Sequence, residues 1–165
     1  MINEHLEAII LNCDNTLTIP AKSCATVQEE NNLLHATLIL SRLGHSEVPV
    51  LNKDLEPAGV IGMPMILAGI TNDAHYDWDK LEVMKVKDVM KTDIGKVLEA
   101  CPLEDILHEL VKHRFLAVVN QQGKFTGIIT RKEIFTRVNF LCHQIDKYCD
   151  VFPHQDMMER LKELC

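Results

Sequence analysis

Apolar and polar positions fall along this chain in blocks that recur. From Leu116 the order is an apolar run (Leu116, Ala117, Val118, Val119), a polar turn (Asn120, Gln121, Gln122, Gly123), a second apolar run (Gly127, Ile128, Ile129), then Thr130-Arg131-Lys132-Glu133. Beyond these, Ile134, Phe135, Val138, Leu141, Cys142 and Ile145 keep a helical spacing. Short apolar runs around a polar, glycine-bearing turn predict a hairpin, so the stretch reads as strand, turn, strand and long helix.

The same pattern stands 68 residues earlier, where Val50, Asn52, Gly59, Ile61 and Ile66 match Val118, Asn120, Gly127, Ile129 and Ile134. Upstream the offset becomes 70, with Val27, Glu29, Leu33, Ala36 and Leu40 matching Val97, Glu99, Leu103, Ile106 and Leu110. The second copy has thus lost two residues between its first helix and its first paired strand, and a duplication accounts for the whole.

The remaining elements follow from local signals. Leu6, Ile9, Ile10 and Cys13 form a helical face near the start, and 19–27 reads as an extended lead-in. Asn31 or Asn32 caps a helix that runs to about Leu43 and ends at Gly44. Strands at 48–51 and 58–61 and a helix over 63–70, with Pro64 in its first turn, complete the first copy. Between 71 and 85 the pattern lapses into polar residues alternating with Tyr76, Trp78, Leu81 and Val83, a linker with room for a helical turn. The second copy opens at Val86-Lys87-Asp88-Val89-Met90, and its first helix starts near Pro102. The predicted organisation is an N-terminal helix within 1–18, repeats over 19–71 and 86–146 separated by a linker over 72–85, and a helical tail over 147–165. In that tail Met157, Met158, Leu161 and Leu164 share one face.

Two modules of this size would each be marginal alone, so they are expected to share a core. Composition narrows the function. The chain is 47% hydrophobic and 25% charged, as in a soluble globular protein, and its formal charge of −7 argues against general nucleic-acid binding. No apolar run approaches the roughly 20 residues that cross a bilayer, and the N-terminus lacks a signal peptide's basic start, so the expected location is the cytoplasm without membrane association. Six cysteines without a Cys-x-x-Cys pair are expected as thiols.

Catalytic chemistry finds little support. Asn12-Cys13-Asp14-Asn15-Thr16-Leu17 approaches the aspartate motif of haloacid-dehalogenase-type phosphatases, but Asn12 stands where the nucleophilic carboxylate must be. Cys142, His143, Cys149 and His154 match no common zinc spacing, so no metal is expected. No nucleophile is placed with a base, and the chain is expected not to be an enzyme. Binding chemistry is better represented. Thr130, Arg131 and Lys132 fall where a strand hands over to a helix N-terminus, a place suited to phosphate. Thr130 equally suits the N-cap of that helix, and two cations at the positive end of a helix dipole need some compensation.

Two copies of a β-α-β-β-α unit, carrying Val86-Lys87-Asp88-Val89-Met90, Leu43-Gly44-His45-Ser46-Glu47-Val48-Pro49-Val50 and Gly127-Ile128-Ile129-Thr130, resemble a tandem pair of cystathionine-β-synthase (CBS) domains. The length and the Thr-Arg-Lys run make the chain most similar to the stand-alone cyclic-di-AMP-binding CbpB family of Firmicutes. That resemblance implies an α+β fold with pseudo-two-fold symmetry, an added N-terminal helix and a C-terminal helical extension. It also implies two clefts between the repeats. One combines Ser23, Cys24, Ala25 and the turn His45-Ser46-Glu47 with Thr130, Arg131 and Lys132; the other receives Gly62-Met63-Pro64-Met65, without hydroxyl or charge. The expected ligand is one cyclic-di-AMP per chain, with AMP or ATP as alternatives and no other cofactor. His45 stands where the family leads one to expect tyrosine, and an imidazole can also stack on a base. The resemblance further implies a homodimer and a protein partner such as a Rel-type (p)ppGpp synthetase, against the alternative of a ligand-free dimeric scaffold.

Overall fold

The computed structural model describes residue 2 and residues 4–11, 16–72 and 75–148 of the 165-residue chain. The first four residues of the phosphatase-like motif, 12–15, and all but the start of the expected tail lie outside the described residues.

Helix α1 (Glu4–Leu11) precedes a lead-in of strand β1 (Ile19–Pro20), a 3-10 turn (Ala21–Ser23) and strand β2 (Val27–Gln28). Helix α2 (Leu33–Leu43) starts where the Asn32 side chain accepts from the amide of His35 at 3.0 Å and stops where Gly44 takes φ 63°. Asn31 is engaged elsewhere, accepting from the amide of Gln28 at 2.9 Å. Strands β3 (Val48–Leu51) and β4 (Pro57–Ile61) pair antiparallel, and α3 (Met63–Ile70) closes the first repeat. The linker has more structure than its polarity suggests. Strands β5 (Thr71–Asn72) and β6 (His75–Tyr76) pair antiparallel, and the one-turn helix α4 (Lys80–Val83) packs on α2. The second repeat follows as β7 (Lys96–Leu98), α5 (Leu103–Lys112), β8 (Phe115–Val119), β9 (Phe125–Thr130) and α6 (Arg131–Tyr148).

The duplication is visible residue by residue in the register. Val27 pairs with Val50 in a parallel ladder and Val97 with Val118 in another, so the two sequence offsets meet within each sheet. In the hairpins Val50 faces Gly59 and Val118 faces Gly127, and both ladders slip at the next residue. A bulge inherited at the same place in both copies is a feature of the unit and not a local defect.

Each repeat lends its lead-in to the other's sheet. Strand β1 pairs antiparallel with β9, Ile19 opposite Ile128, which gives the order β1-β9-β8-β7. In the mirror position, Lys91 of the second repeat bridges Val60 on the edge of the β2-β3-β4 sheet. Close backbone approach explains the paired glycines, since a Cβ on Gly127 would collide with the carbonyl oxygen of Ile19, and one on Gly59 with that of Lys91.

One core lies in each repeat, the first around Leu33, Leu40, Ile61 and Ile66, the second around Leu103, Leu116, Val118 and Ile129. A third cluster of Val60, Ile94, Phe115 and Ala117 draws on both repeats and joins them. Each fully buried leucine of this kind contributes roughly 1.5–3 kcal/mol. Helix α1 packs on α6, where the buried Arg137 donates to the carbonyl of Ile10 and so caps the end of α1. Ile66 and Ile134 on the closing helices are buried in the two cores, whereas Phe135 is 69% exposed.

Candidate functional site

The 3-10 turn that ends at Ser23 packs against β9, so Ser23, Cys24 and Ala25 of the first repeat stand beside the strand that delivers Thr130. Ser23 is exposed, while Cys24 and Ala25 are half-buried. The Cys24 thiol donates to the carbonyls of Ile19 and Pro20, both at 3.4 Å, within its own lead-in. Burial pushes that thiol's pKa up, and the nearby backbone of Ile128 opposes the shift only in part. Cys24 is therefore a neutral packing group that makes a small wall, not a reactive thiolate.

At the strand exit, Thr130 Oγ1 accepts from the amide of Glu133 at 3.3 Å, which caps the start of α6. Arg131 turns back to the preceding helix. Its Nε donates to the carbonyls of Leu110 at 2.8 Å and His113 at 3.1 Å, and its Nη2 donates to that of Val111 at 3.1 Å. These are the orphan carbonyls at the end of α5, where a cation is favourable. The compensation that a cation beside the N-terminus of α6 requires is thus supplied by the C-terminus of α5. A guanidinium carries five N–H donors, and the two used here leave donors for a ligand oxyanion. Lys132 is exposed and has no ion pair among the described residues.

The turn His45-Ser46-Glu47 reaches the second repeat through a residue absent from the expected site. Arg114 donates from Nη1 to Ser46 Oγ at 3.2 Å, and its Nε lies 3.8 Å from Glu47 Oε2. His113, whose carbonyl Arg131 holds, is its neighbour in the chain. One turn between α5 and β8 therefore touches Arg131 on one side and Ser46 and Glu47 on the other. His113 is half-buried there, with its imidazole 3.6 Å from Glu109. His45 is exposed. A signal for Arg114 did exist, because it occupies the position in the second copy that Ser46 occupies in the first.

The pseudo-symmetric exit at Gly62 to Met65 sits against the same turn, and a Cβ on Gly62 would meet the carbonyl oxygen of Ser46. Its side chains offer no hydroxyl or charge. A depression of about 500 Å³ lies elsewhere, on the outer face of α5 between Asp105, His108, Glu109, Val111 and Lys112. It is the surface of a single helix.

Two repeats that each lend a lead-in to the other's sheet define a tandem CBS-domain protein, and the family model described as CBS domain matches residues 86–139. Cyclic di-AMP receptor B of Bacillus subtilis is 32% identical over 129 residues, spanning 78% of this chain and 88% of that protein. CbpB from Streptococcus agalactiae is similar in structure with a TM-score of 0.81 and 31% identity, covering 93% of this chain and 96% of the other. Listeria monocytogenes CbpB, solved in complex with c-di-AMP, gives a TM-score of 0.71 and 38% identity over 76% of this chain and 94% of its own. The chain belongs to the CbpB family of CBS-domain proteins.

Proposed function

We propose that this chain is a non-catalytic sensor that binds cyclic-di-AMP in the cleft formed by Ser23, Cys24, Ala25, His45, Ser46, Glu47, Thr130, Arg131 and Lys132. The observation that supports this most is the seating of the first repeat's lead-in on β9, which brings a small apolar wall from one repeat beside a hydroxyl and two cations from the other. The small wall suits an adenine, and Arg131 and Lys132 suit a phosphodiester. A cyclic 3′,5′-dinucleotide has its 3′ oxygens esterified, so it needs cations more than a paired-hydroxyl acceptor. Glu133, where the common CBS pocket has aspartate, fits that preference.

The output follows from where Arg131 is anchored. A ligand that draws on Arg131 acts on the α5–β8 turn, which also holds the first repeat through Arg114, and so shifts the fit of one repeat on the other. The partner is a protein that reads this fit, and the family resemblance points to a Rel-type (p)ppGpp synthetase bound without ligand and released with it. The functional unit is a homodimer.

Differential scanning fluorimetry with cyclic-di-AMP, cyclic-di-GMP, AMP, ATP and S-adenosylmethionine tests the first step, since a ligand that binds only the native state raises the melting temperature. Cyclic-di-AMP is expected to give the largest rise. No rise with any of the five would leave the ligand-free scaffold as the reading.

A further inference from the structure

The chain has one tryptophan, and the fold presents it to solvent. Trp78 is 60% exposed and lies against Tyr76, itself 47% exposed, with ring centroids 5.5 Å apart and planes tilted by 45°. Val83, at the end of α4, is 79% exposed. Aromatic pairs of this size are usually sheltered, and when displayed they mark interaction sites.

The display is built into a held segment. The Asp77 amide donates to the carbonyl of Ile70 at 2.8 Å, and the Leu81 amide to that of Trp78 at 3.1 Å. Leu81 and Met84 pack on the first repeat's core, which anchors the segment from below. The rings are therefore presented by a docked hairpin and helix.

Carboxylates outnumber cations around them. Asp79 and Glu82 are exposed beside the rings and Asp77 is half-buried, while Lys80 between them turns its ammonium to Asn72 Oδ1 at 2.9 Å. Just beyond, Lys85 and Lys87 are both paired with Glu30. Aromatic faces with carboxylates that make no ion pair among the described residues complement guanidinium groups, which stack on the first and pair with the second.

We propose that Tyr76, Trp78, Asp79, Glu82 and Val83 form a docking surface for an arginine-bearing, partly aliphatic segment of another protein. The surface is separate from the Thr130 cleft and does not depend on nucleotide binding. The segment joins the start of α2, where the Leu33 amide donates to the carbonyl of Met84, whereas the cleft turn at His45 lies beyond the other end of that helix, about 16 Å away at 1.5 Å per residue over its 11 residues.

The single tryptophan makes the test direct. The full chain is titrated with a synthetic peptide alternating arginine and leucine, with emission from Trp78 as readout and a glutamate-for-arginine peptide alongside. A saturable change is expected with the arginine peptide alone. With a labelled peptide read by anisotropy, Trp78→Ala and the pair Asp79→Lys, Glu82→Lys should each weaken binding at least tenfold while leaving the melting temperature in place. No saturable change, an equal response to the glutamate peptide, or undiminished affinity in these variants would overturn the proposal. Sedimentation of Trp78→Ala covers the remaining occupant: if the substitution alone dissociates an oligomer, the surface belongs to a second copy of this chain and the proposal falls.

Discussion

Arg131, the first residue of α6, holds Leu110 near the end of α5 by a hydrogen bond of 2.8 Å from its Nε to the leucine carbonyl. The same guanidinium reaches Val111 and His113, so one side chain closes one helix while standing at the entrance of the next. Removing it acts on stability as well as on the proposed ligand.

Arg131→Ala should therefore lower the stability of the ligand-free protein by about 1 kcal/mol, below the usual range for charged hydrogen bonds because these are part-exposed. It should also weaken cyclic-di-AMP binding by roughly 1.5–3 kcal/mol. Denaturant titration and calorimetry separate the two effects. Unchanged affinity with reduced stability would mean that Arg131 is only a helix cap.

The glycine pair distinguishes the two clefts. Gly127→Ala and Gly59→Ala each drive a Cβ into a lead-in carbonyl and should each cost roughly 1–3 kcal/mol as overpacking. Measured well below both melting temperatures, Gly127→Ala should lose cyclic-di-AMP binding, because it unseats the Ser23 side of the cleft, and Gly59→Ala should retain it. The reverse outcome would move the site to the Gly62 exit.

Stoichiometry follows from the same asymmetry. Calorimetry should give one cyclic dinucleotide per chain, and two equivalent sites would show that the Gly62 to Met65 exit binds as well.

Glu30 makes stability sensitive to acid in a defined window. Hydrogen bonds from Lys85 and Lys87 hold its carboxyl down to about 2 from the usual 4.5. A folded value below the unfolded one means that this pair stabilises fully above about 4.5 and ceases to do so as the pH falls towards 2. The carboxylate is exposed, so its NMR titration midpoint should rise towards the usual value in about 0.5 M salt. A midpoint indifferent to salt would contradict this.

Phe135 is the exposed apolar residue on α6 nearest the cleft exit, and Val138 stands one turn on. In the proposed homodimer, Phe135→Glu should give a monomer by sedimentation at micromolar concentration. A wild-type chain that is itself monomeric there would remove the dimer from the proposal.

Local physics made much of this legible in the sequence. The cap at Asn32, the stop at Gly44 and the strand at 48–51 depend on neighbours within a few residues, and the duplication repeats them at fixed offsets. Even the two-residue loss in the second copy reappears in the structure as the pairs Val27 with Val50 and Val97 with Val118. The position of Thr130, Arg131 and Lys132 at a strand exit followed in the same way.

What those side chains touch was decided by the tertiary structure, because their partners lie far off in the chain and are mostly backbone carbonyls, which carry no residue signature. Nothing in the sequence directs Arg131 to Leu110, Val111 and His113, and the repeat equivalence of Arg114 with Ser46 marks its position without naming its partners. The burial of Ile66 and Ile134 beside an exposed Phe135 depends on where each closing helix meets its core, which a helical stripe alone leaves open by one position. The pairing of 71–72 with 75–76 escaped for a related reason: strands of two residues have no period to read, and the bond from the Asp77 amide to the Ile70 carbonyl that accompanies them carries no residue signature.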